Sequence, residues 1–155
     1  ITHGFDDQGK KFDGDGNMVQ WWTKTDEKKY NQNAKKIIEQ FNNYKINGKS
    51  VNGKLTQGEN IADLGGLVIS LDALRLHQKK VTDADVKKFF EAWARNWRAK
   101  LTKKEKEKRL LTDPHSPNYF RVNGPLKNID EFHRVYNTQS GDGMYLPKNK
   151  RIKIW

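Results

Sequence analysis

A mainly α-helical chain is predicted by three features of the sequence. Apolar residues recur at spacings of three and four in several stretches. Hydroxyl residues able to cap a helix stand at the heads of these stretches. Turn-forming Gly, Asn and Pro residues fall between them.

In order along the chain, residues 1–22 read as a helix end followed by loop, with Gly4 able to stop a helix just after His3. Gly9, Gly14 and Gly16 break any later regularity. Asp13-Gly14-Asp15-Gly16-Asn17 resembles the start of a calcium loop. The pattern fails at Met18 and Lys24, where Gly and Glu are needed, so a plain turn is expected. Thr25, with Asp26 and Glu27 behind it, opens a helix to about Tyr44 along the stripe Tyr30, Ala34, Ile37, Ile38, Phe41. Asn47-Gly48 and Asn52-Gly53 mark a turn-rich link that can hold a short hairpin.

Thr56 opens a second helix to about His77, with Ile61, Leu64, Val68, Leu71 and Leu74 inward. Thr82 caps a third, over residues 83–101, burying Val86, Phe89, Phe90, Trp93 and Trp97. Thr102 and Glu105 form a capping box for a short basic helix. Pro114 and Pro117 punctuate the next segment. Asn128 then caps a helix to about Tyr136 with Ile129, Phe132 and Val135 inward. The apolar Ile152, Ile154 and Trp155 in a charged tail predict a docked end. With no internal repeat and no long linker, residues 1–155 are expected to form a single domain.

Hydrophobic residues make up only 34% of the chain, partly offset by five Trp, seven Phe and five Tyr. A modest core is feasible, as is one completed by sequence upstream. No cysteine is present, which excludes disulfides and thiolate ligands. That absence favours a bacterial cytoplasmic protein, with secretion or the cell surface left open. No apolar run approaches the roughly 20 residues of a membrane span. The net charge of +11 includes a run of Lys100, Lys103, Lys104, Lys106, Lys108 and Arg109 diluted by Glu105 and Glu107. Solvated helix faces explain it. A basic helical module binding nucleic acid or an acidic partner is the rival reading.

Chemistry concentrates at a few residues. His3 is a potential zinc ligand, and Asp6 or Asp7 could take its other ring N–H. Glu59 and Asp63, at i and i+4, share a helix face, so one could bind a metal while the other orients a histidine. Thr56-x-x-Glu59 is equally a capping box. Gly65-Gly66 inside a helix costs roughly 1 kcal/mol per glycine relative to alanine, which suggests close approach of another element. His77 suits a helix C-terminus and His133 a surface helix, and neither receives a role.

Taken together, Ile1-Thr2-His3-Gly4-Phe5-Asp6-Asp7, Trp21-Trp22, Gly58-Glu59-Asn60-Ile61-Ala62-Asp63-Leu64-Gly65-Gly66, His115-Ser116-Pro117 and Phe120-Arg121 resemble the C-terminal part of the neprilysin family of zinc endopeptidases. The cysteine-free bacterial oligopeptidases of the oligopeptidase O type look most similar. The likeness runs in order to Trp155. It implies the helical C-terminal subdomain of a zincin-type metallopeptidase, with the chain opening inside the zinc-binding helix of a His-Glu-x-x-His motif. By that resemblance Zn2+ is the cofactor and peptides are the substrates. His3 and Glu59 are metal ligands. Asp6 and Asp63 orient ligand histidines, and Asp63 also counts with His115 as catalytic. His115 stabilises the transition state, Arg121 holds a substrate carbonyl, and Trp97 lies on the substrate side. The first histidine ligand and the general base are then expected upstream. The 155 residues alone are expected to be inactive and to need the upstream half of the polypeptide as partner, with no nucleic acid involved.

Overall fold

The computed structural model describes residues 1–154. It contains six α-helices: α1 (Lys24–Asn42), α2 (Gln57–His77), α3 (Asp83–Asn96), α4 (Lys103–Thr112), α5 (Asn118–Leu126) and α6 (Asp130–Tyr136). A two-stranded antiparallel hairpin, β1 (Lys45–Ile46) and β2 (Lys49–Ser50), joins α1 to α2. Its turn is Asn47-Gly48, both at positive φ (51° and 79°). The mainly α reading therefore holds. No helix of the described residues is long and apolar enough to cross a membrane.

Helix α2 is the axis of the molecule. It packs against α1 on one side, α5 on another, and the 3-10 turn Thr2–Phe5 at its polar end. Helix α3 packs separately against α6. The core joins Ile37 and Phe41 of α1, Ile61, Leu67 and Leu71 of α2, Phe90 of α3, Phe120 of α5 and Phe132 of α6. Because α2 has neighbours on several sides, its buried set is not one stripe. It includes Asn60, Asp63 and Gly65 as well as the aliphatics.

Several elements depart from the sequence reading. Helix α1 is capped by Thr23, whose side chain accepts from the Asp26 N–H, and Thr25 lies inside the first turn. On α2, Leu67 is buried in the core and Val68 is 41% exposed, the reverse of the sequence reading. Thr56 makes no side-chain cap. Its hydroxyl donates to Asn52 O and accepts from the Asn60 amide, so the capping-box reading of Glu59 falls. Helix α3 has the expected Thr82 cap, reinforced by Asp85 as a full capping box, but ends at Asn96. Thr102 caps α4 one way only, since the Glu105 carboxylate turns to Arg109.

Helix α5 was not expected at all. It starts behind Pro117 without a side-chain cap and ends through Gly124-Pro125, so it lacks the usual start and stop marks. Asn128 does not cap α6. It bridges Gln40, Gly124 O and the Ile152 N–H instead, while Ile129 stands at the N-cap. His133 is buried, not on the surface. Its ring lies between Thr138 Oγ1 (2.5 Å) and Lys127 O (2.8 Å), and burial holds its pKa below the ordinary value. The tail is docked as expected, with Ile152 and Ile154 buried and Arg151 paired to Asp130 at 2.7 Å. Trp155 lies outside the described residues. Asp13-Gly14-Asp15-Gly16-Asn17 is the plain turn expected, Asp13 accepting from the N–H of Asp15 and Asn17.

The α1–α5 contact depends on a missing side chain. A Cβ at Gly124 would stand 2.5 Å from Phe41 Cζ, and the Phe41 ring is 1% exposed with no room to swing away. Gly124→Ala is expected to destabilise the protein by about 1–3 kcal/mol. Thermal unfolding of the variant checks this, and an unchanged midpoint would show that the two helices are not held at this distance.

Candidate functional site

The polar end of α2 receives groups from three other segments. The first is the turn carrying His3. Thr2 Oγ1 donates to Ala62 O (3.2 Å) and Gln57 Nε2 donates to Asp7 Oδ2 (3.1 Å), fastening the turn to α2 from both sides. A Cβ at Gly58 would meet Asp7 Oδ1 at 2.8 Å, so a bare backbone there allows the turn to sit so close. A close approach to α2 is thus seen at Gly58. At Gly66 a Cβ would meet only Thr2 Oγ1, at 4.0 Å.

Asp6, 6% exposed, divides its carboxylate. Oδ1 accepts from the N–H of Gln8 and Gly9, and Oδ2 holds His3 Nδ1, each at 2.8 Å. A carboxylate at Nδ1 places the neutral ring's proton there and leaves Nε2 as a bare lone pair. That atom faces Glu59 Oε1 across 3.6 Å.

This separation is too long for a hydrogen bond. It is close to the roughly 3.4 Å edge between two ligands of a tetrahedral ion with bonds of about 2.1 Å. Two lone-pair donors facing each other at that spacing fit a shared divalent cation. Among the described residues no cluster of three or more His, Cys, Asp or Glu completes a metal cage.

The second segment is the loop between α4 and α5. Asp113 Oδ1 accepts from both the backbone N–H (2.9 Å) and the ring Nδ1 (2.8 Å) of His115. Partial burial pushes the Asp113 carboxyl up, but these bonds and the charges of His115 and Arg109 outweigh it and hold the pKa below the ordinary value. His115 Nε2 points at Glu59 Oε2, 3.2 Å away. Asp113 escaped the sequence reading. An Asp two residues before a candidate histidine, with Pro between them, is an Asx-turn signal that could have revealed it.

The third segment is α5. Arg121 grips Asp63 with two bonds, Nε to Oδ2 at 2.7 Å and Nη2 to Oδ1 at 2.8 Å, and Nη2 also reaches Glu59 Oε2 at 3.3 Å. Its Cζ lies 3.8 Å above the Trp97 ring. Nη1 has no partner among the described residues. Asp63 is buried, and desolvation pushes its pKa up while Arg121 opposes the rise. Its partner here is Arg121 and not a histidine of this chain. A cavity of about 320 Å³ opens beside His115 and Arg121, lined by Trp97, Leu101, Tyr119 and others. The seven residues singled out in the sequence, His3, Asp6, Glu59, Asp63, Trp97, His115 and Arg121, thus form one connected set.

Removing one side of the buried pair leaves the other uncompensated. Arg121→Met is expected to destabilise the protein by about 3 kcal/mol or more at pH 8. Without the guanidinium the folded-state pKa of Asp63 rises further above its unfolded value. The loss is therefore full at alkaline pH and shrinks as the carboxyl protonates toward pH 5. Urea unfolding at both pH values checks this, and a pH-independent loss would contradict it.

Comparisons with known proteins show the family and the fold. The model of peptidase family M13 matches residues 1–152. The neutral endopeptidase of Lactococcus lactis subsp. lactis is 37% identical over all of this chain and 24% of its own length. Neprilysin-1 of Caenorhabditis elegans is 39% identical over all of this chain and 22% of its own length. The inhibitor complex of the Mycobacterium tuberculosis zinc metalloprotease Zmp1 superposes with a TM-score of 0.94, at 40% identity over all of this chain and 26% of that one. PepO of Lactobacillus rhamnosis superposes with a TM-score of 0.91 at 36% identity, covering all of this chain and 24% of that one. The chain spans about a quarter of the length of these relatives. With nearly every residue matched, the chain belongs to peptidase family M13, the neprilysin family.

Proposed function

We propose that the protein is a zinc-dependent endopeptidase acting on oligopeptides, and that this chain supplies part of its catalytic site. The observation that carries the reading is the facing pair His3 Nε2 and Glu59 Oε1, 3.6 Å apart, with Asp6 behind the imidazole. The 155 residues contain no His-Glu-x-x-His. The remaining histidine ligand and the general base are assigned to a preceding segment of the polypeptide, the partner of this chain in the site. The rival reading of a basic binding module gains nothing from the family match. Part of the basic surface is moreover neutralised in place, Arg109 by Glu105 (2.8 Å) and Lys49 by Glu107 (2.9 Å).

Zinc held by His3 and Glu59 supplies Lewis acidity and a water whose pKa falls to about 7. The chain's own residues do the rest. Asp6 keeps the His3 proton on Nδ1, so Nε2 stays free to ligate. His115, protonated on both ring nitrogens with Nδ1–H held by Asp113, offers Nε2–H to the carbonyl oxygen of the scissile peptide as that oxygen gains negative charge. Arg121, braced in plane by Asp63, has Nη1 available for a substrate backbone carbonyl. Trp97 shields the back of the guanidinium and presents an apolar wall to the cavity beside it.

Two measurements on the full-length protein and one on this chain alone test this. His115→Phe is expected to lower kcat on the order of 10²- to 10³-fold with little change in KM. Glu59→Ala is expected to lose bound zinc, read by elemental analysis, together with hydrolysis. Peptide cleavage unchanged in both variants would sink the reading. The isolated 155-residue chain is expected to bind zinc only weakly in calorimetry and to cleave nothing. Robust cleavage by that chain would overturn the assignment of the base and third ligand to another segment.

A further inference from the structure

We propose that Asn60 and Ser116 form a positioning pair that holds His115 in register with the metal-ligand helix during turnover. The inference rests on the peptidase reading above. Ser116 Oγ donates to Asn60 Oδ1 at 2.7 Å, between residues 56 apart in sequence. Asn60 is 0% exposed and Ser116 2%. Asn60 Nδ2 donates onward to Thr56 Oγ1 (2.9 Å), and Thr56 Oγ1 donates to Asn52 O (3.0 Å). Each hydrogen in this relay has one acceptor. Flipping the Asn60 amide would force the Thr56 hydroxyl to turn inward and abandon Asn52 O, so the orientation is fixed.

The pair sits beside the chemistry on both strands of chain. Asn60 follows Glu59 and Ser116 follows His115. Among the described residues, the only other side-chain hydrogen bond or ion pair between α2 and this loop is that of Glu59 with His115, at 3.2 Å. That contact cannot serve both purposes. Once Glu59 ligates a cation and His115 turns its Nε2–H to a substrate oxygen, the two release each other. The Ser116–Asn60 bond is then the polar side-chain tie that remains between the loop and α2. Stability alone does not explain an amide here, because replacing both members of a buried hydrogen bond by apolar groups of the same shape is nearly neutral.

The test is kinetic, on the zinc-loaded full-length protein. Ser116→Ala is expected to lower kcat on the order of tenfold while KM stays within about twofold, because displacing a transition-state donor spares ground-state binding. Zinc content should be unchanged, since neither residue is a ligand. Ser116→Cys, a weaker donor, should fall between. Val135→Ala, a core change on α6, serves as the control for lost stability. It should keep kcat per folded molecule even where its thermal midpoint drops as far. A Ser116→Ala enzyme with wild-type kcat overturns the proposal, as does a loss no larger than that of Val135→Ala. If Ser116→Ala does not fold, Ser116→Cys decides, and a wild-type kcat there overturns the proposal equally. A wild-type protein that holds zinc but cleaves no peptide removes the peptidase reading and this inference with it. Cleavage by wild type with no effect at Ser116 removes this inference alone.

Discussion

Everything at this site depends on one constraint: the first two turns of α2 turn polar groups into the protein. Glu59, Asn60 and Asp63 lie where a packed helix ordinarily puts aliphatics, and each must recover what it loses on leaving water. An unpartnered buried carboxylate costs several kcal/mol, more than most single contacts in the molecule supply. The surrounding segments answer that demand. Arg121 covers Asp63 with a two-pronged grip, Ser116 and Thr56 satisfy Asn60, and Glu59 is met by His3, His115 and Arg121. Helix α5 and the two loops are placed by this requirement as much as by the apolar contacts behind it.

The charges do not balance within the chain. Asp6, Glu59, Asp63 and Asp113 bring four carboxylates to the site, and among the described residues Arg121 is the one guanidinium hydrogen-bonded to any of them. With His3 neutral and His115 carrying both ring protons, these bonded groups sum to two negative charges, four minus two, in a partly dry region. A divalent cation between His3 and Glu59 would offset the excess. The raised pKa of Asp63 comes first from burial, with the neighbouring Glu59 adding a smaller push against Arg121. Salt bridges of this kind are weak evidence for stability, because desolvation offsets the attraction. They are better understood as holding the geometry of the segments that meet at α2.

The helices that could be read in the sequence are those with a long stripe and a marked start. Thr82-x-x-Asp85 before Val86 and Phe90 is such a case. Helix α5 could not be read, because its ends are made by Pro117 and by Gly124-Pro125 packing against Phe41, which is a tertiary cause. His133 went wrong for the same kind of reason, its burial being decided by Lys127 O and the Thr138 hydroxyl from beyond its own short helix. At the site the residue types were visible but their use was not. Glu59 fitted a capping box as well as a ligand role until the Thr56 hydroxyl was seen bonded elsewhere. The ordered motifs of the family carried the assignment, and no spacing rule alone would have joined His3 to a carboxylate on a distant helix.

The two histidines are held by the same device, used twice. Asp6 accepts from the N–H of Gln8, two residues on, and from Gly9, and its second oxygen grips the His3 ring. Asp113 accepts from the N–H of His115, again two residues on, and the same oxygen grips the His115 ring. In each case main-chain bonds set the carboxylate's rotamer independently of the imidazole, as in an Asx turn. The ring then docks on an acceptor that is already fixed, so its orientation is set before any ligand arrives. A carboxylate held only by its histidine would move with the ring and could fix neither its tautomer nor its direction. The short loops thereby acquire the rigidity that α2 has from its backbone, and that is what allows a turn and a loop to meet a helix at fixed distances.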